Sequence, residues 1–372
     1  MNTFYPEVEH GIVNRATNTL FKYQGWPTVA RDENGTLYVA SSSFRIYHVC
    51  PFGKTAMYIS KNEGKTWTPP IVINDTYLDD RDGGLLYAGD GRLVLTWFTL
   101  PGKDLRTEYL PYITRMVSPM ESAANLGMVE AVEMLPDEEL EGGSWLRVSE
   151  DYGVTWSTPV RMPISAPHGP NVCRDGSLVY LGLEYLSRDE LPSRCIATYK
   201  SFDGGYTWER VSILPRPKWL KDKEFLDEPH IMELPDGRLL GSFRVENREP
   251  TFSVAIAVSE DGGKTWSEPV CTDVSGSPPH LMMHSSGAII CSYGRREAPY
   301  GERAMVSYDL GVTWEDEYVL DESPSGDLGY PSTVELSDGS LMTVYYQKYK
   351  DDKKCSILYT KWRLRDRQLH GD

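Results

Sequence analysis

The chain alternates between short apolar stretches, typical of strands, and clusters of Gly, Asp, Asn and Ser, typical of turns. Six of these clusters place a polar-Gly pair between two apolar runs, which is the signal of a tight β-hairpin. Most of them are spaced by roughly 50 to 60 residues, about the length of a four-stranded propeller blade. The turns are Asn34-Gly35, Asp90-Gly91, Asp175-Gly176, Asp236-Gly237, Ser286-Gly287 and Asp338-Gly339. This repetition predicts an all-β protein with the six-bladed β-propeller fold.

A second repeat, Ser-x-Asp/Asn-x-Gly-x-Thr-Trp, follows each of the first five turns. The Ser and Asp or Asn side chains can accept backbone N–H bonds in a tight turn, and the Gly tolerates a positive φ. The Trp supplies a large apolar anchor. We therefore expect this box to fix the fold of each blade and to carry no chemistry. Its copies run from Ser60 to Trp67, Ser149 to Trp156, Ser201 to Trp208, Ser259 to Trp266 and Ser307 to Trp314.

The sixth unit lacks the box and has too few residues after it to finish a blade. Its last apolar stretch is Cys355–Trp362. We expect an N-terminal strand within residues 11–21 to complete this blade, because pairing there would close the ring and bury two edge strands at once. Residues 1–372 are accordingly predicted to form one propeller domain.

The long interval between the second and third turns predicts an insertion within blade 2, over residues 100–144. Ser118 and Glu121 have the spacing of a capping box, and Pro119 stands at the first helical position. One helix is therefore predicted in the insertion. The sequence leaves open whether it forms a rim over the central funnel or a contact between subunits, so an oligomer through residues 100–144 is one expectation.

Charge narrows the choice of partners. With 372 residues and a formal net charge of −16, the chain would repel nucleic acid and anionic membranes, so neither is expected as a partner. An anionic substrate would need a local cationic pocket.

The N-terminus shows no signal-peptide pattern and no run of eighteen apolar residues occurs, which favours a cytoplasmic protein. Six scattered cysteines predict free thiols, and no motif for a metal or other cofactor is evident.

Chemistry is expected where the six inner strands begin, because these strands line the central channel of a propeller. The polar, aromatic and charged groups there are more than solvated loops require. We expect these groups to converge on one pocket, with Trp26 in its wall. The six strand starts are Gly25-Trp26-Pro27, Asp79-Asp80-Arg81-Asp82, Pro167-His168-Gly169, Asp227-Glu228-Pro229-His230, Pro278-Pro279-His280 and Gly329-Tyr330-Pro331.

These boxes and strand starts together resemble the sialidase (neuraminidase) superfamily, over nearly the whole chain. The family orders its site residues as Arg, Asp, Glu, Arg, Arg, Tyr. This chain offers the same order, with two positions left open between neighbouring residues: Arg45, Asp80 or Asp82, Glu228, Arg244, Arg295 or Arg296, and Tyr330.

The resemblance implies a retaining exo-glycoside hydrolase with a tyrosine nucleophile. Three arginines would clamp a substrate carboxylate through planar, bidentate hydrogen bonds. Because that carboxylate would repel an anionic nucleophile, a neutral Tyr330 activated by Glu228 would attack instead. Asp80 or Asp82 would serve as the acid and base.

Two departures from the family bear on the site, and the second of them points toward a different sugar. Where the family has a Glu that holds the first arginine, this chain has Tyr345-Tyr346-Gln347, which predicts a different orientation for Arg45. The histidines His168, His230 and His280 begin or precede three successive inner strands, where they are expected either to bond sugar hydroxyls or to be satisfied within the core.

Three functions remain open from the sequence. The first is a sialidase-like hydrolase of a terminal acidic sugar. The second is a hydrolase of another glycoside, such as an arabinoside, a rhamnoside or a uronic-acid-linked sugar, with Glu228 and Asp80 or Asp82 as its carboxylate pair. The third is a glycan-binding propeller without turnover.

Overall fold

The computed structural model describes residues 1–184, 194–248 and 252–365, apart from the side chain of Asp273. Its strands form six sheets, arranged as the blades of a propeller, which confirms the predicted fold class. Two strands precede the first blade in the chain, and both join blades at the other end of the sequence. They are β1 (Asn2–Phe4) and β2 (Glu9–Asn14).

Blades 1 to 3 follow in sequence, and neighbouring strands within each are antiparallel. Blade 1 contains β3 (Tyr23–Arg31), β4 (Leu37–Arg45), β5 (Lys54–Ser60) and β6 (Ile71–Asn74). Blade 2 contains β7 (Asp80–Tyr87), β8 (Leu93–Thr99), β9 (Gly143–Ser149) and β10 (Val160–Met162). Blade 3 contains β11 (Ile164–Ser165), β12 (Asn171–Val172), β13 (Leu178–Glu184), β14 (Ile196–Ser201) and β15 (Glu209–Ile213).

Blades 4 to 6 repeat this plan. Blade 4 contains β16 (Phe225–Glu233), β17 (Leu239–Glu246), β18 (Ser253–Ser259) and β19 (Val270–Ser275). Blade 5 contains β20 (His280–Met283), β21 (Ile289–Arg295), β22 (Gly301–Ser307) and β23 (Asp316–Glu322). Blade 6 contains β24 (Gly329–Glu335), β25 (Leu341–Lys348) and β26 (Cys355–Trp362).

The N-terminus contributes to two blades. Strand β2 pairs antiparallel with β26 and is the fourth strand of blade 6. It begins at Glu9 and ends at Asn14, so it starts earlier and is shorter than the stretch 11–21 expected from the sequence. Its register shifts between Ile12 and Asn14, and the Asn14 side chain donates to Gln24 at 2.6 Å and to Tyr58 at 2.9 Å. Strand β1, which the sequence did not predict, pairs parallel with β23 of blade 5.

The Ser-x-Asp/Asn boxes have the bonding predicted from their sequence. They close the turns β5–β6, β9–β10, β14–β15, β18–β19 and β22–β23 of blades 1 to 5. In blade 4, Ser259 Oγ accepts the Gly263 N–H at 2.8 Å, and Asp261 Oδ1 accepts the Thr265 N–H at 2.8 Å. Gly263 has a φ of 93°, a conformation that favours glycine. Trp266 packs against the core between blades 3 and 4. The box therefore joins a local turn to the packing of neighbouring blades.

We expect Ser259→Ala to lower the free energy of unfolding by about 1–3 kcal/mol, because it leaves the buried Gly263 N–H without an acceptor. Chemical denaturation followed by tryptophan fluorescence measures this change. Ser122→Ala, within a helix of the insertion, is the control and should have almost no effect, since Ala is the better helix former. Equal stability of the two variants would contradict a structural role for the box.

The insertion contains three helices where one was predicted. These are α1 (Asp104–Thr107), α2 (Leu110–Arg115) and α3 (Pro119–Val132), followed by a 3₁₀ turn at Asp137–Glu139. The predicted capping box at the start of α3 is present. Val129 and Val132 of α3 pack in one cluster with Val49 and Leu78 of the propeller. Within the described residues, no helix is both long and apolar enough to cross a membrane.

Candidate active site

Four inner strands bring their side chains into the site through the same local irregularity. In each, the register with the neighbouring strand shifts next to a residue of positive φ. Such backbone costs about 1–3 kcal/mol for a residue other than glycine and is concentrated at functional sites. The four residues are Trp26 (φ 53°), Asp82 (φ 51°), Glu228 (φ 40°) and Tyr330 (φ 53°).

Tyr330 and Glu228 form a direct pair, although they lie two blades apart. The Tyr330 hydroxyl donates a short hydrogen bond to Glu228 Oε1, and Arg244 Nη1 donates to Glu228 Oε2 at 2.6 Å. Burial alone would raise the pKa of Glu228, but Arg244 and the Tyr330 hydroxyl outweigh it and lower the pKa. Burial, together with the negative charge of Glu228, raises the pKa of Tyr330 well above its usual value. The resting pair is therefore a neutral phenol bonded to a carboxylate.

Of the two candidate acids, Asp82 is the one that faces this pair. Burial raises the pKa of Asp82 to about 7, opposed by Arg81 and reinforced by the charge of Glu228. Its Oδ1 is buried and has no hydrogen-bond partner among the described residues. Asp80 instead accepts bonds from the backbone and hydroxyl of Thr76, both at 3.0 Å. Asp80 therefore secures the loop before β7, whereas one oxygen of Asp82 is left without a partner.

Arg296, and not Arg295, joins Arg244 beside the tyrosine. The guanidinium of Arg296 lies 5.5 Å from the centre of the Tyr330 ring, and the guanidinium of Arg244 lies 4.1 Å from the Phe252 ring. Arg295 is the last residue of β21, and no contact described in the structure links its side chain to Tyr330 or Glu228. Two of the three arginines expected from the sequence are thus brought to the site.

Arg45 does not have the free guanidinium that the clamp implied by the family resemblance would need. Its side chain is fully buried, and Asp79 accepts from both of its terminal nitrogens, so these donors are engaged within the protein. Trp26 is only 2% exposed and covers the guanidinium, which lies 4.8 Å from the indole ring. Asp79 provides the carboxylate that the stretch Tyr345-Tyr346-Gln347 lacks. This geometry does not fit a substrate clamp at Arg45, nor an open pocket wall at Trp26.

The three histidines form a buried cluster behind the site, with ring centres between 4.5 and 5.8 Å apart. His230 Nδ1 accepts the Leu281 N–H at 3.0 Å, and His280 Nδ1 accepts the Thr333 N–H at 3.3 Å. Burial lowers the pKa of all three, and that of His230 to about 3, so they are neutral. They line a cavity of about 330 Å³ in the central channel. These contacts fit core histidines that join blades and do not fit sugar binding at Tyr330.

Metal ligation was not expected from the sequence. Across the described residues, no group of three or more His, Cys, Asp or Glu side chains has an arrangement that could hold a metal ion. The described cysteines are all free thiols.

Sequence reasoning missed two groups near the site. Asp79 lay within a charged run whose members looked alike, and only the fold shows which one reaches Arg45. His48 had no motif around it, yet its ring lies 4.9 Å from Trp26 and 3.5 Å from the Asp327 carboxylate. No local pattern signalled this pair, because its members come from opposite ends of the chain.

The fold and its repeats define a sialidase-like propeller. The family described as BNR repeat-like domain matches residues 131–343, more than half of the chain, and the chain belongs to this family. A curated sialidase from Bacteroides fragilis (strain YCH46) is 24% identical over 225 residues. That match covers 54% of this chain and 39% of the sialidase, so the chain spans well under half the length of that relative.

Solved structures show the same fold at low sequence identity. A protein of unknown function from Dyadobacter fermentans DSM 18053 superposes with a TM-score of 0.75 at 21% identity, covering 96% of this chain and 99% of the other. The NanB sialidase from Streptococcus pneumoniae gives 0.68 at 14% identity, with coverages of 95% and 70%. The intramolecular trans-sialidase from Ruminococcus gnavus gives 0.63 at 17% identity, with coverages of 95% and 96%.

Proposed function

We propose that the protein is a sialidase-like exo-glycoside hydrolase that retains anomeric configuration and uses Tyr330 as its nucleophile. The observation that carries the proposal is the hydrogen bond from the Tyr330 hydroxyl to Glu228, a carboxylate that also receives Arg244. A phenol is a poor nucleophile by itself, and a bonded carboxylate base is the arrangement that activates it.

The reaction then runs in two steps. The Tyr330 oxygen attacks the anomeric carbon while Glu228 takes the phenolic proton, and Asp82 protonates the oxygen of the departing group. Asp82, now a carboxylate, next takes a proton from water, and that water displaces the tyrosine, which recovers its proton from Glu228. The raised pKa of Asp82, about 7, suits both roles near neutral pH.

Two arginines favour a sugar with an anionic group beside its anomeric carbon. Arg244 and Arg296 both lie near Phe252, with their guanidinium carbons 4.1 and 5.8 Å from its ring centre. Both remain charged at any ordinary pH. The terminal nitrogens of Arg244 pair with Glu228 and Glu246, but unlike those of Arg45 they make no further described bonds, so they still have hydrogens to offer a carboxylate. In a protein of net charge −16, such a local pair is what a small anionic substrate requires. A neutral tyrosine also avoids the repulsion that a carboxylate nucleophile would meet.

The test is a panel of aryl glycosides that contains α-sialosides, uronides and neutral pyranosides. Turnover of an acidic glycoside, with product of retained configuration by NMR, is the expected result. Turnover with inversion would contradict the tyrosyl mechanism, and the absence of turnover on every member would contradict the proposal that the protein is a hydrolase.

A second candidate function has one observation in its favour. Because Arg45 is sealed beneath Trp26 and paired with Asp79, the site offers fewer cationic groups than a three-arginine clamp. A glycoside without a carboxylate at its anomeric carbon could then be hydrolysed by Glu228 and Asp82 alone. In that case a neutral glycoside of the panel would be the best substrate, and its turnover would survive Tyr330→Phe and be lost in Glu228→Gln.

The pH profile should report Asp82. Its protonated form is the acid, so kcat/KM is expected to fall as pH rises through about 7, where Asp82 loses its proton. Asp82→Asn should lower kcat by roughly 10²–10⁴-fold on substrates with a poor leaving group, and less on activated aryl glycosides. Asp80→Asn is the matched control, because the pKa of Asp80 is also raised to about 7 but its carboxylate bonds Thr76. An alkaline limb that disappears in Asp80→Asn would contradict this assignment.

A further inference from the structure

A partly exposed histidine lies beside the site, past the covered Arg45. His48 follows strand β4, and its side chain is 38% exposed. Its ring meets Trp26 edge-on at 4.9 Å, and Trp26 in turn meets Tyr330 at 6.3 Å. The Asp327 carboxylate next to it is 25% exposed. These two side chains are thus open on a side of the site where Trp26 and Arg45 are closed.

The hydrogen bonds around His48 fix which of its nitrogens carries the proton. The Tyr23 hydroxyl donates its single hydrogen to Asp327 Oδ1 at 2.8 Å. The Tyr23 oxygen is also 3.0 Å from His48 Nδ1, so Nδ1 must be the donor in that contact. In the neutral ring the lone pair is therefore on Nε2. No described residue makes a hydrogen bond to Nε2, which leaves an oriented acceptor free.

Arg296 connects this pair to the catalytic tyrosine. Its guanidinium lies over the Tyr330 ring at 5.5 Å, and Nη2 is 3.5 Å from the Tyr346 hydroxyl. Its charge also acts on the other pair, since it contributes to lowering the pKa of Asp327 and that of His48. His48 is therefore linked to Tyr330 by ring contacts through Trp26, and Arg296 acts on both Tyr330 and the pair of His48 and Asp327.

We propose that His48 and Asp327 form a hydroxyl-binding subsite, in which His48 Nε2 accepts a hydrogen bond from a hydroxyl group of the sugar held at Tyr330. The assignment rests on the proposed function and refines its substrate class. Both open groups are acceptors, and Asp327 would repel a second carboxylate. The anionic group of the sugar therefore goes to Arg244 and Arg296, and its hydroxylated flank goes to this subsite.

Acidification should weaken this subsite. Protonation turns Nε2 into a donor and ends its ability to accept from a hydroxyl. Partial burial and the charges of Arg81 and Arg296 hold the pKa of His48 below its usual value against the opposing effect of Asp327, so the neutral acceptor prevails at neutral pH. The groups that face His48 are Asp327, Tyr23, Arg81, Arg296 and Arg45, the last through the His48 carbonyl.

Two substitutions of His48 distinguish the role of Nδ1 from that of Nε2. The amide of Asn reaches the position of Nδ1 and can keep the contact with Tyr23, whereas the amide of Gln reaches the position of Nε2. With the aryl glycoside that the wild type turns over fastest, we expect His48→Asn to raise KM by about tenfold, the usual effect of losing one such hydrogen bond. His48→Gln should recover most of that loss, and kcat should change by less than about threefold in both variants.

The control is His10→Asn, which changes an exposed histidine on blade 6 and should leave KM unchanged. KM of the wild type should also rise on acidification, and that rise should vanish in His48→Asn. Wild-type KM in His48→Asn, or a defect in His48→Gln as large as in His48→Asn, would overturn the subsite. Loss of kcat in Tyr330→Phe with an unchanged KM in His48→Asn would overturn the subsite and leave the proposed function standing.

Discussion

Replacing Tyr330 with Phe is expected to lower kcat by roughly 10³-fold or more, since it removes the atom that forms the covalent bond and leaves the ring in place. The fold should be unaffected, because the phenyl ring keeps its contacts with Trp26 and Tyr346. KM should change little if the sugar is held mainly by Arg244 and Arg296. The measurement is steady-state hydrolysis of the best aryl glycoside of the panel, with circular dichroism as the check on folding.

Tyr345→Phe is the matched control for this experiment. Tyr345 is also a fully buried tyrosine of blade 6, but its hydroxyl bonds Asp321 and Thr360, away from Glu228. We expect its kcat to remain within a few fold of the wild type. Comparable losses in the two variants would mean that the tyrosines act through packing, and would contradict a nucleophilic role for Tyr330.

Breaking the buried pair of Arg45 and Asp79 is expected to have the largest effect on stability. Both side chains have no exposure. Removal of Asp79 leaves the buried Arg45 charge without its carboxylate, and removal of Arg45 leaves Asp79 with the longer contact to Arg81 at 3.6 Å; breaking a buried pair in this way costs about 3–5 kcal/mol. We therefore expect Arg45→Met and Asp79→Leu each to lower the free energy of unfolding by that amount. Denaturation in urea, followed by fluorescence and circular dichroism, measures the change.

The double variant with both substitutions should recover most of the loss, because paired apolar side chains can replace a buried ion pair at little cost. Arg161→Met is the control, since Arg161 pairs with Glu141 at 3.4 Å on the surface, where such pairs contribute about 0–1 kcal/mol. If Arg45→Met were no more destabilising than Arg161→Met, the buried pair would not have the role assigned to it. Wild-type stability in Arg45→Met would also reopen a ligand-binding role for this arginine.

Most of the fold could be predicted because its signals are local and repeated. The polar-Gly turns and the Ser-x-Asp boxes act through hydrogen bonds within about five residues, so each is complete in the printed sequence. The helix at Ser118 was predicted on the same basis, from its cap. The short helices α1 and α2 were missed because neither has a side-chain cap, and their stability comes from packing of Leu105 and Ile113.

For the candidate site, the sequence could predict which residue types stand at the start of each inner strand, but not which side chains meet. Glu228 and Tyr330 lie at such starts and were selected there by the resemblance to the sialidase family, and the structure places them in contact. Arg45 was chosen from a short string of neighbours, and its burial under Trp26 depends on a partner 34 residues away, Asp79. The choice between Asp80 and Asp82 was equally beyond the sequence, because residues two apart on a regular strand share a face. What separates them is the irregularity at Asp82, where φ is 51° and the register shifts between Arg81 and Gly84.

The tyrosyl mechanism is tested most directly by identifying the atom that carries the sugar during turnover. The enzyme would be mixed with an acidic glycosyl fluoride that carries a second fluorine next to the anomeric carbon, which slows release of the covalent intermediate. Intact-mass measurement and peptide mapping then locate the adduct. We predict one sugar bound to the peptide that contains Tyr330, and none in Tyr330→Phe. An adduct on Glu228, or one that persists in Tyr330→Phe, would contradict the tyrosyl mechanism.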